Sequence, residues 1–179
     1  MKKSKVYALC EGAIMVALAT ALSYVKLMEL PQGGSVCIGM LPLFIYFYRW
    51  DWKHSFLAAF AYGLLQLIFD GAYAWGPTSM LLDYVLAFTL LGLACAIAKP
   101  FSNKLVGVGV GTAVVCFIRF MCSFLSGVLI WGNLSDGLPA WTYSLTYNGS
   151  YMLPETIMTT IAAVLIYKAA PQLFRAQND

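Results

Sequence analysis

Four ionisable residues interrupt long apolar stretches of this 179-residue sequence: Asp70, Asp83, Arg119 and Glu155. A charge among apolar neighbours is costly unless it meets an opposite charge, water or a polar ligand, so each marks an internal pair or a site. Three acids against one base leave a surplus of negative charge, which favours a cationic ligand. Arg119 either partners one of Glu155, Asp83 and Asp70 or lines the site itself. Spacing adds polar neighbours. Arg119, Ser123 and either Ser126 or Gly127 share one helical face, as do Tyr151, Glu155 and Thr159. Such stripes line a cavity or pack helix on helix, and spacing alone leaves both readings open.

Other chemistries find little support. The single histidine, His54, stands beside Trp52 and Lys53 in a charged connection, away from the buried acids. Cys10, Cys37, Cys95, Cys116 and Cys122 form no CxxC pair, and four of them sit in apolar runs, as small core residues do. Gly107, Gly109 and Gly111 lie in an apolar run with no Lys-Ser/Thr after them, so they read as a packing surface rather than a phosphate loop. With no nucleophile–base pair and no Walker motif, the expectation is a protein that is not an enzyme, needs no cofactor or metal, and would draw on another chain for any ATP-driven step.

The elements that must position these residues follow from composition. The chain is 61% hydrophobic and 11% charged, with a mean hydropathy of +0.76, where a soluble domain carries about 25% charged residues. Lipid is therefore the solvent. The first apolar run lacks a cleavage site and reads as a span rather than a signal peptide. The predicted fold is an all-α integral membrane protein, one domain over residues 1–179. Its six transmembrane helices are expected at residues 6–24, 36–48, 55–73, 79–98, 105–131 and 151–170. The second contains Pro42 and is expected to be tilted or broken.

Basic residues set the orientation. Lys2, Lys3 and Lys5 precede the first span, Arg49 and Lys53 follow the second, Lys99 and Lys104 separate the fourth and fifth, and Lys168 and Arg175 end the chain; the other connections hold only Lys26. Both termini are predicted to be cytoplasmic, in a multi-pass protein of the cell membrane. The connections around residues 25–35, 70–78 and 132–150 then face outward. They carry Gln32, Gly33, Gly34, Tyr73, Trp75, Trp131, Asn133, Trp141, Tyr143, Tyr147 and Asn148. Aromatics of this kind form an interfacial belt, but the amides and glycines fit a pocket for a flat polar ligand better. On the first span, Ala13, Ala17 and Ala21 repeat every fourth residue, a spacing that lets another helix approach closely, inside the bundle or from a partner.

Three segments resemble a known family. LPQGGSVCIGMLPL (Leu30 to Leu43), LLDYVLAFTLLGLA (Leu81 to Ala94) and RFMCSFLSGVLIWG through YSLTYNG (Arg119 to Gly149) are similar to the thiamine-binding (ThiT-type) S-components of energy-coupling factor (ECF) transporters. The resemblance implies a high-affinity membrane binder of thiamine. It would deliver its ligand to a membrane coupling protein driven by two cytoplasmic ATPases, with Ala13 and Ala17 at the partner interface. It further implies that Asp83 and Tyr84 meet the thiazolium cation, that Trp131, Tyr143 and Asn148 hold the aminopyrimidine, and that Tyr73, Gly127 and Ser123 stand at pocket positions. The chain departs from the family pattern at three of these places. Asp83 replaces a longer glutamate, Ser123 stands where the pattern has a histidine, and Gly33 and Gly34 occupy the loop where a tryptophan caps the pocket. An S-component for another cationic or heteroaromatic nutrient, such as a thiamine precursor, and a stand-alone ion-coupled carrier using Asp83, Arg119 and Glu155 as a relay are the alternatives.

Overall fold

Backbone amides surrounded by lipid must find their partners within the chain, and helices do this most simply. The computed structural model describes residues 5–31, 33–70, 76–130 and 137–175, and six helices dominate them. These are α1 (Lys5–Ser23), α2 (Leu41–Arg49), α3 (Trp52–Asp70), α4 (Gly76–Ala98), α5 (Lys104–Ile130) and α6 (Ala140–Ala169). α1, α4, α5 and α6 are each long and apolar enough to cross a bilayer. The predicted six-helix membrane fold is therefore present. The basic ends also gather as expected. Arg49 at the end of α2 pairs with Glu11 of α1 at 2.6 Å and donates to the Leu173 carbonyl in the C-terminal turn Pro171–Phe174. At the same end, Gly107 of α5 lies against the Ala98 carbonyl that closes α4.

Three elements differ from the sequence reading. Residues expected to open the second span form a hairpin instead: β1 (Lys26–Glu29) pairs antiparallel with β2 (Ser35–Cys37), and Gly33 supplies the positive φ of 95° in its turn. α2 is consequently only nine residues long, with Pro42 in its first turn, where the missing N–H costs nothing. Leu43, Phe44, Tyr46 and Phe47 are all at most 1% exposed, because α1, α3, α4, α6 and the C-terminal turn surround this helix. Irregular backbone at membrane depth is tolerated when protein covers it in this way.

α6 is the second correction. It begins at Ala140, so much of the stretch expected as the last outer loop is helix, and Pro154 lies within it. At 30 residues it would span about 45 Å, well beyond a hydrocarbon layer of about 30 Å. Its upper turns looked like a loop because they are polar, with Tyr143, Ser144, Tyr147 and Asn148 lining an internal cavity.

The third is α4, which is not a uniform α-helix. Met80–Leu86 is π-helical, and the Ala87 N–H reaches back five residues to the Leu82 carbonyl; Leu90–Leu93 then tightens into a 3-10 turn. Gly63 of α3 accommodates the widened stretch: a Cβ there would stand 2.7 Å from the Tyr84 carbonyl oxygen. Gly63→Ala must push α3 and α4 apart, and should destabilise the protein by about 1–3 kcal/mol. A lowered thermal midpoint in detergent checks this. Gly149→Ala, at a glycine with open space around its Cα, should leave the midpoint in place.

Candidate functional site

The outer half of the bundle holds a cavity with an open mouth. The hairpin, α3, α4, α5 and α6 all supply walls. Its titratable lining settles the pairing that the sequence left open. Arg119 of α5 and Glu155 of α6 form an ion pair at 2.5 Å, with Glu155 3% exposed. The Cys37 thiol donates to the other oxygen of Glu155 at 3.5 Å. The Arg119 guanidinium also lies over the Phe88 ring, 4.7 Å from its centroid, and against the Met40 sulfur at 3.7 Å. Asp70, at the end of α3, meets Lys26 of the hairpin at 3.6 Å. Lys26 is held above the usual lysine pKa chiefly by its hydrogen bond to Glu29; partial burial opposes this and Asp70 assists it. Lys26 is thus balanced by two acids, Glu29 and Asp70.

Asp83 differs from both of these carboxylates. Its Oδ2 accepts hydrogen bonds from Ser79 at 2.8 Å and from Ser126 at 2.5 Å, and Ser123 contributes a further hydroxyl. Among the described residues it has no ion-pair partner. The cavity therefore presents one carboxylate whose charge is met by hydroxyls alone.

α6 supplies the aromatic wall. Tyr143 and Tyr147 stack with centroids 6.0 Å apart and planes at 15°, and Tyr147 meets Tyr151 edge-on at 5.9 Å. All three line the cavity at fourth-residue spacing. The hairpin comes down on this ladder: a Cβ on Gly34 would stand 2.6 Å from the Tyr151 ring, so only glycine lets the loop lie there. The Asn148 amide N–H groups donate to the Ser144 carbonyl at 3.1 Å and the Ser123 carbonyl at 3.3 Å, while its oxygen accepts from the Tyr151 hydroxyl at 3.0 Å. Gly127 permits this junction of α5 and α6, because any Cβ there would collide with the Ser144 hydroxyl.

The structure brings Asp83, Tyr84, Ser123, Gly127, Tyr143 and Asn148 to one cavity. Trp131 and Tyr73, with Gln32, Trp75 and Asn133, lie outside the described residues. Ala13 and Ala17 stand apart from the cavity, exposed along a shallow apolar groove between α1 and α3. Glycines 107, 109 and 111 are packing positions, facing α4 and α6. The sequence reading did not place Ser79 or Ser144 at the site, and treated Tyr147 as a loop aromatic. The four-residue spacings of Ser79 to Asp83 and of Tyr143 to Tyr147 to Tyr151 carry that information once these segments are known to be helical.

Removing Glu155 would strand the buried guanidinium of Arg119, and Glu155→Ala should cost about 3–5 kcal/mol. The double variant Arg119→Met/Glu155→Met should recover most of that loss, because neither charge is then left alone. Thermal unfolding of the three proteins in the same detergent measures both effects.

Comparison with known proteins gives the family of this chain. A family model described as thiamine transporter protein (Thia_YuaJ) matches residues 9–175. The chain is 33% identical over 182 residues to the thiamine transporter ThiT of Bacillus subtilis strain 168, with 95% of each chain covered. It is 30% identical over 181 residues to the thiamine transporter ThiT of Lacticaseibacillus paracasei, covering 94% of this chain and 90% of that one. A solved structure of ThiT from Listeria monocytogenes superposes with a TM-score of 0.84 at 23% identity, covering 97% of this chain and all of the other, which is a likeness of fold. With nearly the whole chain matched by the family model and by relatives of this similarity, the protein belongs to the thiamine transporter family Thia_YuaJ.

Proposed function

We propose that this chain captures thiamine from outside a bacterial cell membrane and passes it to an uptake complex whose ATPases are other chains. The observation that carries the reading is the state of the three cavity carboxylates. Glu155 is matched by Arg119 and Asp70 by Lys26, which leaves Asp83, collared by serines, to meet a cation. Thiamine is a fixed cation on an aromatic ring joined to a second, hydrogen-bonding ring. It fits a cavity that sets one carboxylate across from stacked tyrosines. In this reading the thiazolium ring lies by Asp83 and Tyr84. The aminopyrimidine lies along Tyr143 and Asn148, with Gly127 and Ser123 forming the wall between; the family resemblance adds Trp131 to the aminopyrimidine contacts and Tyr73 to the pocket positions. Membership of a family of thiamine transporters supports the same ligand. The proton-relay alternative is not favoured, since Arg119 and Glu155 are closed on each other while Asp83 bonds to serines.

The proposed partners are a membrane coupling protein and two cytoplasmic ATPases. Ala13 and Ala17 support a docking surface on α1. Both are exposed, and Gly12, Ala58 and Ala61 flank them in a groove shallow enough for another helix to approach.

Two measurements test the proposal. Calorimetric titration of the purified protein with thiamine should show saturable binding, and Asp83→Asn should weaken it roughly ten- to a thousandfold, the loss of about 1.5–4 kcal/mol expected for a charge-assisted contact away from water. Unchanged affinity in that variant would remove Asp83 from the site. Ala17→Trp should bind thiamine like the parent protein yet lose uptake in vesicles that contain the coupling partners; retained uptake would place docking elsewhere.

A further inference from the structure

A carboxylate taken out of bulk water keeps its charge and its direction only where fixed donors replace the lost hydration. Around Asp83 the nearest basic side chain in the cavity, Arg119, is engaged by Glu155. What remains is hydroxyls: that of Ser123 in the cavity wall, and those of a pair of serines on two helices. Ser79 lies one turn earlier on α4 and is 2% exposed; Ser126 lies on the facing side of α5 and is 0% exposed. Neither hydroxyl is placed to exchange its bond for one to solvent, and both protons go to the same atom, Oδ2 of Asp83. Two donors arriving from two different helices fix the carboxylate in position as well as in charge.

We propose that Ser79 and Ser126 are positioning residues that determine the preference of this site for a cation: by anchoring Oδ2 from α4 and α5 they hold Asp83 as a charged, oriented carboxylate whose Oδ1 meets the ligand. The inference rests on the thiamine reading given above and adds the device that makes Asp83 selective. Hydroxyls suit the task because they stabilise negative charge without neutralising it. A lysine or arginine in either place would satisfy Asp83 and leave nothing for the ligand. The two serines also differ in what they would do if they served the fold alone, since a lost structural hydrogen bond weakens every ligand alike.

The experiment compares two ligands on the purified full-length chain in detergent. One is thiamine; the other is its uncharged isostere, in which carbon replaces the cationic ring nitrogen (3-deazathiamine). The parent protein should prefer thiamine. In Ser126→Ala and in Ser79→Ala, thiamine affinity should fall roughly tenfold, the usual scale for one charge-assisted hydrogen bond, while isostere affinity holds. Ser126→Thr, which keeps the hydroxyl, should restore the preference. Equal weakening of both ligands, or no change in either, would overturn the positioning role. If Ser126→Ala does not fold, Ser79→Ala reads the second donor independently. A parent protein that binds no thiamine would instead refute the proposed function, so the two failures are told apart.

Discussion

An arginine and a glutamate buried together inside a lipid-embedded bundle can neither be left single nor moved cheaply, and the geometry of this protein is arranged around one such pair. Arg119 comes from α5 and Glu155 from α6, so their contact locks the most extensive helix pair at the level of the cavity. The Cys37 thiol and the Met40 sulfur bring the end of the hairpin and the approach to α2 onto the same two side chains. The Phe88 ring adds α4 from the other side. In surroundings of low dielectric constant, separating these charges is far more costly than in water. The walls they join are therefore held at fixed spacing before any ligand arrives, and preorganisation of that kind spares a ligand the entropy of assembling its site.

That pair also decides the electrostatic character of the cavity. By cancelling Arg119 it removes the one base among the lining residues and leaves the negative end of the balance at Asp83. The remaining machinery is built from small groups. Gly127 brings α5 onto α6, Gly63 brings α3 under the widened turn of α4, and Gly34 lets the hairpin settle on Tyr151. Serines fill the places between them. Close backbone approach and short hydroxyl side chains give a cavity that is narrow at its walls yet polar inside. Membrane helices pack well in this way, because small residues maximise contact where no hydrophobic drive exists between them.

Much of this was legible in the sequence, and the failures have physical causes. Span positions followed from hydropathy wherever a helix faces lipid, as α5 does over Lys104–Ile130. Hydropathy misled where the neighbours are protein. Val36 and Cys37 are apolar and buried, yet belong to a strand; residues 140–150 are polar, yet belong to a helix. Asp83, Tyr84, Ser123, Gly127, Tyr143 and Asn148, singled out by a family resemblance, line one cavity. The choice of Glu155 as the partner of Arg119 was not identifiable, because three acids stood at comparable depth and one-dimensional spacing does not rank them. Ser79 escaped notice, and Ser126 stood only as an alternative to Gly127 on one face of α5, because a serine in an apolar run looks the same whether it packs or donates.

The π-helical stretch of α4 has a further consequence. A π turn is what a helix becomes when one residue is added without lengthening the bundle around it, and here it spans Met80–Leu86, with Asp83 at its centre. Deleting a single residue from that stretch would return α4 to an ordinary period with its flanks still in phase, because the π turn is what absorbs the extra residue. Ser79 and Phe88 would keep their faces, while the residues between them, Asp83 included, would shift against both flanks. The placement of charge in this fold is thus a matter of phase as well as of side-chain identity. Two relatives could share each cavity residue and still differ in what they admit, if one of them counts α4 differently.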